Sequence, residues 1–189
     1  MKKAILALAG IAFLTGIYSF APKSVKQDAT LTVNTEKSRV DWVGTKKSDF
    51  HTGVFPLKSG TVTVDGGKLK GGKFVIDLAN LKVTDAGGGE RLTGHLKSAD
   101  FFDVAKFAEA TYEITAVNYT DAGTADISGN LTVKGVTVPV KLKAQIRNSD
   151  DKGFFAQSFL SLDKTLVGIN YGAGNVANDV QLAIHLFAK

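Results

Sequence analysis

From Leu31 onward the chain alternates between apolar and polar positions with a period of two, in short runs separated by turn residues. Residues 38–44 place Val40, Trp42 and Gly44 on one side and Arg39, Asp41 and Val43 on the other. A second run, 53–64, is expected to break near Pro56, because proline cannot donate to a strand ladder and suits an edge or a bulge. Asp65-Gly66-Gly67 then reads as a hairpin turn, and 73–78 puts Phe74, Ile76 and Leu78 on one face. Strands are predicted again over 110–119, 124–134 and 136–147, with turns at Asp121-Ala122-Gly123 and Lys134-Gly135. In the last of these Val138, Val140, Leu142, Ala144 and Ile146 alternate with Pro139, Lys141, Lys143 and Gln145. Residues 153–162, 165–171 and 179–188 complete the series, the alternation in the first being carried by Phe155, Gln157, Phe159 and Ser161.

One stretch departs from this rhythm. Gly87-Gly88-Gly89 opens an irregular section that runs to Phe107. Its heart, Leu92–Phe107, sets His95, Lys97, Ser98, Asp100 and Asp103 among Leu92, Leu96, Phe101, Phe102 and Val104. Such a mixture predicts a short helix or ordered loop that buries its apolar side chains and closes one end of the molecule. Ser98 or Asp100 would cap the helix by accepting from its first free N–H groups. About eight strands with one helical interruption indicate an all-β antiparallel sheet that must hide its edges. Closure into an eight-stranded barrel does so, leaving an interior for side chains or one slender ligand. A two-sheet sandwich is the competing geometry.

The beginning of the chain follows different rules. Lys2 and Lys3 precede an uncharged apolar run to Ala21, the pattern of an export signal over 1–21, so the folded domain is taken as 30–189 and its location as periplasmic or secreted. The nominal charge of +5 falls to about +3 without those two lysines, and the remaining lysines are scattered. Nucleic acid is therefore not an expected partner. The absence of cysteine excludes disulfides and thiol chemistry, so the exported domain must rely on its core.

Candidate chemistry is sparse. Gly67–Lys73 has the spacing of a phosphate-binding loop, but Phe74 stands where Ser or Thr would hold magnesium and no helix follows, so it reads as a hairpin. No GxSxG elbow supports a serine nucleophile. His185 falls on the outer face of a terminal strand. His51, His95 and Asp100 could together form a metal or acid–base site, or serve only loops and a ligand head group. The numerous aromatics fit either a filled core or an apolar tunnel with a few polar groups at its mouth.

The motifs themselves resemble the YceI-like family. The resemblance rests on Trp42-Val-Gly44-Thr-Lys46 with His51-Thr-Gly53-Val-Phe55, and on Leu92-Thr-Gly94-His95-Leu96-Lys97-Ser98-Ala-Asp100-Phe101-Phe102-Asp103-Val104. Gly129-Asn-Leu131-Thr132-Val-Lys134-Gly135-Val-Thr137 and Gly168-Ile-Asn-Tyr171-Gly172 complete it. It implies an extended, lipocalin-like barrel, usually exported to the bacterial periplasm, that binds polyisoprenoids or other long-chain amphiphiles. No cofactor is expected. Ala108 stands where the family often has proline, and Lys164 where it often has arginine, which alters what the barrel mouth can pair with.

The expected ligand-binding walls are Trp42, Phe55, Phe74, Ile76, Leu96, Phe101, Phe102, Tyr112, Leu131, Leu142, Phe159, Ile169 and Tyr171. Polar contacts at the mouth are expected from Lys46, His51, His95 and Lys164. No metal or catalytic residue is assigned. The expected partner is a long-chain lipid or isoprenoid, with membrane-surface contact during its exchange and either a monomer or a dimer in solution. Two other readings compete: an enzyme acting on a lipid-like substrate through His51, His95 and Asp100, and a packed barrel that works only through its outer surface.

Overall fold

The computed structural model describes residues 28–189; the segment read as an export signal lies outside the described residues. The alternating runs form strands β1 (Ala29–Thr32), β2 (Arg39–Lys46), β3 (Asp49–Asp65), β4 (Lys68–Asp77) and β5 (Lys82–Val83). After helix α1 (Gly89–Lys97) come β6 (Glu109–Tyr119), β7 (Thr124–Val133), β8 (Val136–Ser149), β9 (Phe154–Asp163) and β10 (Val176–Ala188). Eight of them close a barrel in the order β3-β2-β10-β9-β8-β7-β6-β4 and back to β3, every pairing antiparallel. The barrel, and not the sandwich, is the solution this chain adopts. Short β1 and β5 add to β3 beside the ring.

Local chemistry sets the turns. Lys134 and Gly135 join β7 to β8 with φ of 51° and 77°, the two positive values a type I′ hairpin requires. Gly66 and Gly67 do the same between β3 and β4, so the loop with phosphate-like spacing is a hairpin. Strand β3 runs unbroken through Pro56. The expected break is instead a register shift one step later, between Leu57 and Ser59.

Two expectations are corrected. Residues 165–171 are not a strand: Lys164–Val167 form a 3-10 turn that Asp163 caps and Gly168 ends at φ 78°. Ser98 and Asp100 follow α1 and do not start it, so neither caps its N-terminus; Ser98 Oγ instead donates to the carbonyl of His95 at 2.8 Å.

Antiparallel winding sends the β2–β3 hairpin, the β7–β8 hairpin, α1 with its following loop, and the 3-10 turn to one end, called here the cap end. The far end is filled by a cluster that includes Leu31, Val62, Val64, Leu69, Ala125 and Phe154. The cap end holds two smaller clusters, one around Leu78, Val133, Val167 and Ile169 and one around Trp42, Leu81 and Leu96.

The ring is not paired along its full height. Strands β8 and β9 are joined only from Ala144/Ser158 to Ser149/Phe154, so 136–143 and 159–163 part company towards the cap end. The Ser158 hydroxyl, donating to the carbonyl of Lys143 at 2.9 Å, marks where they separate. Pro139 lies in this open stretch opposite Asn130 of β7. Hydrogen-bonded pairs recur every second residue from the Val133/Val136 hairpin, so its missing N–H would have faced β9, where none is needed.

Candidate functional site

Inward positions of all eight barrel strands surround a cavity of about 210 Å³. A single water needs about 15 Å³, so this is a lumen and not a packing fault. It extends from Leu69, Ile114 and Phe154 towards the far end up to Leu78, Phe102, Val167 and Ile169 at the cap end. The packed-barrel reading requires that no such space exist.

Of the expected wall residues, Phe55, Phe74, Ile76, Phe102, Tyr112, Leu131, Leu142 and Ile169 line the cavity. Phe159 does not. It is 63% exposed and lies edge-on to His185 on the outer surface, its inward places in β9 being taken by Leu160 and Leu162. Trp42 and Leu96 are buried one layer away, between β2 and α1, where the Trp42 ring stands 5.9 Å from Phe55. Its indole N–H is buried without a partner among the described residues.

Phe101 and Tyr171 form a clasp over the cap end instead of lining the lumen. The His95 ring lies edge-on to Phe101 at 5.1 Å and to Tyr171 at 4.5 Å, tying the loop after α1 to the β9–β10 connection. His95 Nε2 is 3.2 Å from Asp100 Oδ2 on the solvent side.

His51 belongs to another arrangement. Its Nδ1 is 3.0 Å from Asp85 Oδ1, while Asp85 Oδ2 accepts from the Thr52 amide at 2.9 Å. These hydrogen bonds, the Thr52 amide first, pull the Asp85 carboxyl down to about 2. His51 thus anchors the approach to α1 and has Asp85, not Asp100, as its carboxylate. Among the described residues no three His, Cys, Asp or Glu side chains are grouped to hold a metal. Lys46 stays at the surface near Asp49, 3.9 Å away.

Lys164 is the residue whose place the sequence reading missed. Expected at an open mouth, it is 6% exposed and lines the lumen. The 3-10 turn puts it there: its Nζ donates to the Ile169 carbonyl at 3.3 Å, and the Ile169 amide donates back to the Lys164 carbonyl at 3.1 Å. The other polar side chains of the wall are spent. Tyr112 Oη donates to the Val140 carbonyl at 3.2 Å, Ser158 to Lys143, and the Gln157 amide is engaged by His185 at 3.0 Å. Burial pushes the Tyr112 phenol up to about 12, so it remains a neutral donor. Chemically, the site offers a long apolar surface with one ammonium near the cap end.

The fold has known counterparts. The structure superposes on BcnA of Burkholderia cenocepacia with a TM-score of 0.73 and 21% identity, covering 83% of this chain and 99% of that one. A polyisoprenoid binding domain from Saccharophagus degradans gives 0.67 at 17% identity, covering 86% and 99%. In sequence, a UPF0312 protein of Pseudomonas fluorescens is 31% identical over 98% of this chain and 96% of its own length. Another, from Pseudomonas putida, is 34% identical over 86% of each. The model of the YceI-like domain matches residues 31–188, the whole barrel, and this chain belongs to that family.

Proposed function

We propose that the protein is an exported carrier that holds a long-chain apolar molecule, a polyisoprenoid or similar amphiphile, inside the barrel. The observation that carries this reading is the lumen itself: a continuous apolar space walled by eight strands, with Lys164 the one charged side chain among the described residues that line it. An apolar space of this kind gains nothing from water. Shielding a few hundred Å² of hydrocarbon at about 25 cal/mol per Å² contributes several kcal/mol, offset in part by the cost of immobilising the chain. The polyisoprenoid binding domain of Saccharophagus degradans shares the fold, which supports a ligand of that shape. The apolar run after Lys2 and Lys3 supports export to a periplasmic or extracellular space, where a lipid needs a soluble container.

The test is native mass spectrometry of the full chain, expressed with its own N-terminal segment and isolated from the bacterial envelope. A discrete added mass that extracts into organic solvent as a long-chain lipid is the expected result, together with loss of the first residues. A bare polypeptide that also leaves added farnesol and oleyl alcohol unbound would overturn the carrier reading.

A further inference from the structure

The feature that the carrier reading leaves unused is the state of the Lys164 ammonium. Lys164 is 6% exposed as a residue, yet among the described residues only one of its three N–H donors has a partner, the Ile169 carbonyl. No carboxylate lies within 4.0 Å of it among the described residues, and the first 27 residues contain neither Asp nor Glu. Its sequence neighbour Asp163 spends Oδ1 on the amide and hydroxyl of Thr165, at 2.8 and 2.7 Å, in capping the 3-10 turn, and acts on Lys164 only through space, from beyond contact. A buried charge without a counterion in contact is costly, and none of the side chains that line the lumen is a carboxylate that could supply one. What is missing from the site must come with its occupant.

Resting on the carrier reading, we infer that the ligand is a long-chain carboxylate whose head group is seated on Lys164. The chain would lie in the lumen towards Phe74 and Leu142 and the head would meet the ammonium behind the 3-10 turn. One charge and two unspent donors match the single charge and two oxygens of a carboxylate. A phosphate monoester brings about −1.5 to −2 charges, and among the described residues no second cation lines the cavity. The pair would form away from water, where a charge-assisted hydrogen bond is short and strong.

The experiment measures the affinities of oleic acid, oleyl alcohol and oleyl phosphate for the full chain and for Lys164→Met, by competition against a fluorescent apolar probe. The wild-type protein should bind the acid at least tenfold tighter than the alcohol, and tighter than the phosphate. In Lys164→Met, where a thioether of similar length fills the same space, the preference for the acid should vanish while the alcohol binds at least as well. Thermal unfolding of the ligand-free variant should be no lower than that of the wild type, since a buried unpaired charge is gone. Equal affinity of wild type for acid and alcohol overturns the Lys164 assignment while leaving the carrier reading in place. So does an acid preference that survives in Lys164→Met, or a phosphate that binds tighter than the acid. Failure of all three probes to bind overturns both.

Discussion

At the scale of single residues, close approach decides more than charge does. Gly53 of β3 lies under the Trp42 ring, opposite it in the ladder and against the Lys82 carbonyl of β5, with no room for a Cβ. Gly53→Ala should therefore destabilise by about 1–3 kcal/mol, read as a lower urea midpoint with an unchanged slope. Gly71→Ala, in open space on β4, should leave the midpoint where it is or raise it. Equal behaviour of the two variants would refute the steric account. Asp85 gives a prediction of a different kind. Its folded carboxyl titrates near 2 against 3.8 for an ordinary aspartate, so its contribution is present above about pH 4 and is lost as pH falls towards 2. The stability gap between wild type and Asp85→Asn, followed by unfolding from pH 5 to pH 2, should shrink through that window; a gap independent of pH would contradict it.

At the scale of elements, the strand series was legible because one face of each strand is buried, which imposes the period of two. Where both faces carry large apolar groups, that signal fails. In β9 the residues Phe154, Leu160 and Leu162 compete with Phe155 and Phe159, and aromatic weight points to the wrong parity. The outward Phe155 finds its use in stacking on Phe187 of β10, 4.2 Å away and nearly parallel. The 3-10 turn was hidden by the apolar Leu166, Val167 and Ile169, although Asp163 before Thr165 and then Gly168 are the cap and stop that signal such a turn. Nothing in the sequence marks Lys164 as buried, since a lone lysine after a strand normally points to water. The parting of β8 from β9 is likewise a property of pairing and not of either strand alone. It predicts that the Thr137 and Lys141 amides, which face the gap, exchange with solvent much faster than those of Val138 and Val140, which face β7. Uniform protection along β8 in hydrogen-exchange NMR would show the strands to be paired in solution.

At the scale of the whole molecule, the far end is packed and the middle is not, so added volume should have different costs in the two places. Leu142→Trp points new bulk into the lumen and should cost less than about 1 kcal/mol in denaturant unfolding while lowering affinity for oleyl alcohol at least tenfold. The usual overpacking cost of about 1–3 kcal/mol at this position would mean that the space is already filled. The unpaired corner between β8 and β9 has one more consequence, for how copies of the protein meet. Bare strand edges ordinarily recruit a strand from another molecule and grow into aggregates. Along this edge Pro139 withholds a donor and exposed Lys141 puts positive charge in the path of an identical neighbour. The same few residues that let the wall stand ajar thus keep crowded copies from zipping together through it.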